Sequence, residues 1–164
     1  MSSAPRHPNV DLIERLYTAI QRADPKAIAA CYAEDAKFED IAFRLRDRVR
    51  ILEMWELVCH AKPTVTFDPG LIAADDHKGR GCWRAKYYYG RTDTDPARPV
   101  DNTLASEFTF HDRLIVDHRD RCDPMVWARM AFPFPKYLVA GSVAPLRRYI
   151  AKKKLEAFLA GRKP

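Results

Sequence analysis

An α+β fold, in which helices cover one face of a curved antiparallel sheet, follows from three observations on the chain. Apolar residues recur at helical spacing as far as residue 60, long alternating segments take over between residues 64 and 122, and clusters of turn-forming residues separate those segments. Helices followed by a meander of strands bury both kinds of apolar surface against each other in two layers.

The polar start, Met1 to Asn9, reads as a flexible terminus without the apolar core of a cleaved signal. A first helix is predicted after Asn9, because Val10, Ile13, Leu16, Tyr17 and Ile20 form one stripe while Asp11, Glu14, Arg15 and Arg22 take the other face. Asp24-Pro25 then opens a short second helix reaching Tyr32, with a capping carboxylate and a proline that loses nothing in the first turn. Residues 36–40 alternate as a brief strand that puts Phe38 and Asp40 on one face. A third helix over Arg46 to His60 carries Val49, Leu52, Trp55 and Cys59 on one stripe, and Lys62-Pro63 stops it.

Four strands are expected next: Thr64 to Ala74, Gly81 to Thr92, Val100 to His111 and Leu114 to Cys122. Asp76-His77-Lys78-Gly79, Asp93 to Pro99 and Asp112-Arg113 supply the turns. Alternation sets Trp83, Ala85, Tyr87 and Tyr89 on one side of their strand and Leu104, Ser106, Phe108 and Phe110 on one side of theirs. Beyond Pro124, Met125 to Phe132 is apolar enough to pack on the sheet. A last helix over Ser142 to Leu159 is given a stripe of Val143, Leu146, Ile150, Ala157 and Phe158.

Composition excludes several classes. At 164 residues, with 47% hydrophobic and 30% charged residues, the chain fits one domain large enough to bury a core, and no apolar run approaches the ~20 residues of a membrane span. Cys31, Cys59, Cys82 and Cys122 form no Cys-x-x-Cys pair, so reduced thiols in a cytoplasmic setting are expected, not disulfides or a zinc site. The net charge of +6 is concentrated after residue 135, where eight Lys or Arg face one Glu. Such a tail reads first as a solvated basic helix and second as a contact for anionic lipid; no specific nucleic-acid partner is implied. Only six glycines are present, none in a phosphate-cradling loop, and neither a metal nor a nucleotide cofactor is expected.

The motifs Leu16-Tyr17-x-Ala19, Asp24-x-x-x-Ile28, Tyr32-Ala33-x-Asp35-Ala36-x-Phe38-x-Asp40, Phe108-x-Phe110 and Ile115-Val116-x-His118-Arg119-Asp120 resemble, in order and spacing, the nuclear transport factor 2-like superfamily. Within it the chain is similar to the ketosteroid isomerase and SnoaL-type polyketide cyclase branch. The resemblance covers about residues 10–125. It implies a cone-shaped sheet, a cystatin-like α+β roll, closed by helices around a deep apolar cavity; beyond it, the sequence pattern reads residues 126–164 as an apolar segment and a basic C-terminal helix. It also implies a homodimer and an apolar small-molecule ligand.

Against ketosteroid isomerase, Tyr17 falls at the oxyanion-stabilising tyrosine and Asp40 at the carboxylate that shuttles the proton. The second oxyanion donor of that family falls at Ser106, and the tyrosine supporting the first falls at Trp55. Against the SnoaL type, His118-x-Asp120 resembles the His-x-Asp ending in which an acidic residue serves as acid/base of ring closure. Expected site residues are therefore Asp40, Tyr17, His118 and Asp120, with Trp55, Phe38, Trp83, Tyr87, Ser106 and Phe108 on the wall. Cofactor-independent isomerisation, cyclisation, dehydration or hydrolysis of a carbonyl-bearing or polycyclic metabolite is the activity this implies. A non-catalytic ligand-binding or dimerisation module is the alternative.

Overall fold

The computed structural model describes residues 6–90 and 96–162. Its helices are α1 (Pro8–Gln21), α2 (Pro25–Ala29), α3 (Arg48–His60), α4 (Pro124–Ala131), α5 (Lys136–Ser142) and α6 (Ala144–Ala160). The strands are β1 (Tyr32–Glu39), β2 (Arg44–Arg46), β3 (Thr64–Phe67), β4 (Ala73–Ala74), β5 (Lys78–Tyr89), β6 (Arg98–His111) and β7 (Leu114–Arg121). Residues 91–95, on which the expected end of a strand at Thr92 and part of the Asp93–Pro99 turn fall, lie outside the described residues, as do residues 1–5 of the expected flexible start.

Asp-Pro pairs start three of the helical turns. Asp24 Oδ1 accepts from the Ala27 N–H at 3.0 Å, Asp123 Oδ1 from Met125 N–H at 2.8 Å, and Asp68 Oδ1 from Gly70 N–H at 2.8 Å. The last of these breaks the strand expected over Thr64 to Ala74 into β3, a single 3-10 turn over Pro69–Leu71, and β4. Helix α1 begins at Pro8, earlier than expected, because His7 caps it and buried Asn9 donates to the Asp75 carbonyl at 2.8 Å. Helix α2 ends at Ala29, and β1 starts at Tyr32.

The sheet runs in the order β2-β1-β7-β6-β5-β3, with β4 on β5. It is antiparallel except where β1 runs parallel to β7, a pairing invisible to local alternation. That register matters for the site: Phe38 faces His118 across β1/β7, while Phe108 faces His118 and Ser106 faces Asp120 across β6/β7. The β6–β7 hairpin turns on Asp112 and Arg113, both at positive φ (48° and 61°), the twist that a tight two-residue turn needs.

Helices α1 and α3 bury Leu12, Ile13, Leu16, Tyr17 and Ile20, and Ile51, Met54 and Trp55, against Trp83, Phe108, Phe110 and Ile115 of the sheet. The α3 stripe is rotated from the expected one, and Val49 is 66% exposed. Gly81 is required by close approach: a Cβ there would stand 2.5 Å from the Tyr17 hydroxyl oxygen. The apolar segment after Pro124 folds as α4 and packs Trp127, Ala128 and Ala131 with Val100 and Ala140.

The C-terminal helix departs most from its sequence pattern. Val143 separates α5 from α6, and Val143 and Leu146 are 41% and 38% exposed, while Arg147, Ala151 and Leu155 face inward. Apolarity alone favours Val143 and Leu146, but the buried position goes to Arg147 because backbone carbonyls receive its guanidinium. Its Nε donates to Ile41 O at 2.6 Å and its Nη1 to Ala140 O at 2.9 Å and Gly141 O at 3.2 Å.

Candidate functional site

A cavity of about 430 Å³ opens between the concave face of the sheet, α3, α4 and α6. Its apolar wall comes from Phe38, Trp55, Trp83, Leu104, Tyr89 and Trp127, and the polar groups on it include Asp40, Asp120, Tyr87, Asn102, Arg147 and Lys154. An apolar enclosure with a few convergent polar groups is the usual make-up of a small-molecule site.

At the sheet end, three side chains donate to one oxygen of Asp120. Ser106 Oγ, His118 Nε2 at 2.9 Å and Trp83 Nε1 at 3.4 Å all reach Oδ1. Among the described residues no donor takes Oδ2, which leaves that oxygen for whatever occupies the cavity. The His118 tautomer follows from the groups behind it. The Trp55 indole can only donate, and it reaches the Tyr32 hydroxyl at 3.3 Å. The Tyr32 oxygen therefore accepts, its own O–H donates to His118 Nδ1 at 2.7 Å, and the remaining ring proton sits on Nε2, facing Asp120. His118 is fully buried among Tyr32, Phe38, Trp55 and Phe108. Burial drives the Tyr32 phenol well above its ordinary pKa, so it acts as a neutral relay.

Asp40 lies one residue beyond β1. Its Oδ1 accepts from Ala42 N–H at 2.7 Å and Phe43 N–H at 2.6 Å, a tight turn that holds the carboxyl against the cavity. Burial, helped by the charge of Asp120 and opposed by those two N–H groups, pushes its pKa up to about 6. Tyr87 repeats the logic of Tyr32. Trp127 Nε1 donates to the Tyr87 hydroxyl at 2.9 Å, so the phenolic proton is free, and burial raises that phenol to about 12. No acceptor takes this proton among the described residues.

Of the ten residues expected from sequence, Asp40, Asp120, Phe38, Trp55, Trp83 and Tyr87 line the cavity. Tyr17, Ser106, Phe108 and His118 do not. The Tyr17 ring is packed 5.4 Å from Phe67, 6.2 Å from Phe108 and 6.3 Å from Trp83, which fills that end of the concave face solidly. Its hydroxyl sits near Ser106 without a well-formed hydrogen bond, and burial raises its pKa. Ser106 and His118 stand behind Asp120 and reach the cavity through it. Arg147 and Lys154 also line the cavity and stand outside the set expected from sequence. The only sequence signal for them was their i, i+7 spacing on α6 with Ala151 between, which charge alone hides.

All four cysteines are free, and among the described residues no cluster of three or more His, Cys, Asp or Glu is arranged to hold a metal. No helix among them is long and apolar enough to cross a membrane.

The family described as SnoaL-like domain matches residues 13–118. No curated protein matches the chain. Among solved structures, the LEH-like epoxide hydrolase of M. tuberculosis superposes with a TM-score of 0.59 at 19% identity, covering 85% of this chain and 95% of that one. IdmH from Streptomyces antibioticus, described as a candidate polyketide cyclase, gives 0.61 at 20% identity over 74% and 96%. SalBIII, an epoxide hydrolase/cyclase-like enzyme of pyran ring formation in salinomycin, gives 0.58 at 16% identity over 69% and 88%. At these identities the likeness is one of fold.

Proposed function

The chain belongs to the SnoaL-like domain family, and from that premise we propose that it is a cofactor-independent acid/base enzyme acting on an apolar, carbonyl-bearing small molecule. One observation carries the reading: two carboxylates, Asp40 and Asp120, face one apolar cavity whose wall also offers the unspent phenolic proton of Tyr87. A carboxylate with a pKa near 6 is ionised at neutral pH yet basic enough to take a proton made acidic by a neighbouring carbonyl.

The step is an enolisation. A C–H bond next to the carbonyl breaks, its proton goes to Asp40, and its electron pair moves to the carbonyl oxygen, which accepts a hydrogen bond from Tyr87. The enolate then either recovers a proton at another carbon, which is isomerisation, or attacks a second carbonyl, which closes a ring. In ring closure the proton held on Asp40 returns to the oxygen of the second carbonyl as its new C–C bond forms, and Asp120, oriented by His118 and Ser106, accepts a hydrogen bond from the resulting hydroxyl. Tyr87 thus fills the donor role that the resemblance assigns to Tyr17. Substrate and side chains balance every proton.

Deuterium exchange at the α-carbon of 2-tetralone in D2O tests this without the natural substrate. The protein should accelerate exchange, and Asp40→Asn should remove the acceleration by about a hundredfold or more. Undiminished exchange in Asp40→Asn sinks the assignment. A homodimer in the cytoplasm is the setting we propose, and sedimentation velocity checks the first half.

A further inference from the structure

Helix α6 lies beyond the residues matched by the family, yet it supplies part of the cavity wall. Arg147, Ala151 and Lys154, at i, i+4 and i+7, present one helical face to it. Arg147 is only 7% exposed. A guanidinium so buried ordinarily has a carboxylate beside it, since an unpaired buried charge is costly. Arg147 instead has three backbone carbonyls, from Ile41, Ala140 and Gly141, which satisfy Nε and Nη1 and fix the plane of the fork. Asp40 acts on it electrostatically but forms no ion pair with it. Its Nη2 has no acceptor among the described residues.

Lys154 is similarly placed. Its ammonium lies 3.6 Å from the centroid of the Tyr89 ring, which draws it over the cavity wall, and it too makes no ion pair among the described residues. Other basic residues of the tail are paired: Arg148 with Glu39, Lys152 and Lys153 with Glu156, and Arg162 with Glu56. Among the cations of α6, Arg147 and Lys154 are the two with no acidic partner among the described residues, and both line the cavity. Desolvation lowers the pKa of both, the direction expected of cations held without a counter-charge.

We propose that Arg147 and Lys154 form an anion-recognition end of the cavity, so that the ligand is an apolar acid whose carboxylate docks on α6 while its ring system lies between Phe38, Trp55 and Trp83. The carboxylate meets the free edge of the Arg147 fork, with Lys154 closing over it. This deepens the proposed function by giving the substrate a second, non-reacting anchor, and it rests on that reading's cavity. Such a remote charge orients the reacting carbonyl toward Asp40 and Tyr87, where binding energy is converted into position.

Binding of 4-(1-pyrenyl)butyrate and its methyl ester, followed by pyrene fluorescence on the intact chain, tests it. The acid should bind about tenfold more tightly than the ester, the scale of one charge-assisted hydrogen bond. Lys154→Met, at a solvent-exposed position of α6, should remove about half of that preference on a logarithmic scale, weakening the acid more than the ester. Arg147→Lys should remove more of it, with far-ultraviolet dichroism checking that α6 persists. Equal binding of acid and ester by the native protein overturns the anion site while leaving the apolar cavity standing, as does an acid preference that survives both variants. Failure of both probes to bind overturns the cavity reading as well.

Discussion

Two Trp–Tyr pairs in this molecule share one arrangement and end differently. In the first, the Trp55 indole donates to Tyr32, whose proton passes to His118, and the chain closes on Asp120. In the second, the Trp127 indole donates to Tyr87, whose proton meets no acceptor among the described residues and faces the cavity. A donor-only indole sets the direction in both cases, because the phenol oxygen it occupies must spend its own proton elsewhere. Where the protein supplies the acceptor, the result is rigidity; where it withholds one, the proton remains available to a ligand. The same local chemistry thus builds a scaffold at the sheet and a reactive wall beside α4.

Breaking the closed chain should cost the most. His118→Leu leaves the Tyr32 hydroxyl without its acceptor and Asp120 without one of three donors, and about 3 kcal/mol of stability should be lost in urea unfolding. If the loss is below about 1 kcal/mol, the chain is not the structural unit described here. Tyr32→Phe comes next, at about 2 kcal/mol, because it orphans both the Trp55 N–H and His118 Nδ1 inside the core.

Asp40→Asn sharpens the contrast in the opposite direction. The folded pKa of Asp40, about 6, lies above the ordinary 3.8, so the native state holds the proton more tightly than the unfolded chain does. Ionised Asp40 therefore destabilises the fold: the penalty is absent below about pH 4, grows as pH rises through about 6, and is constant above it. The variant keeps an oxygen for the Ala42 and Phe43 N–H groups, and its Tm should exceed that of the native protein by a few degrees near pH 7, with the gap closing near pH 4. A gap independent of pH would break the claim that charge burial is its cause. The smallest stability effect belongs to Tyr87→Phe, about 1 kcal/mol or less, accompanied by a loss of 2-tetralone exchange of about tenfold or more. Equal exchange would show that the free phenolic proton serves nothing.

Legibility in the sequence followed the range of the interactions involved. The α1 stripe of Ile13, Leu16, Tyr17 and Ile20, the Asp-Pro caps and the Asp112-Arg113 turn were readable, since spacing and backbone preference act over a few residues. The aromatic face of β5 was readable for the same reason, and with it Trp83, Tyr87 and Tyr89 of the cavity wall. The inward face of α6 was not: apolarity favoured Val143 and Leu146, whereas three carbonyls from distant segments selected Arg147.

By itself, then, the sequence determined the helices α1 to α3 and the long strands β5 to β7, which family pattern they follow, and that Asp40, His118 and Asp120 belong near one concave face. Only the tertiary structure decided that Tyr17 is sealed in the core while Tyr87 keeps a free proton, and that two cations of the last helix meet the two carboxylates across a cavity. The physical reason is that a side chain's reactivity depends on which partners occupy its donors and acceptors, and those partners come from β1, β7, α4 and α6, far apart along the chain and brought together by the parallel β1–β7 pairing and the packing of the C-terminal helices.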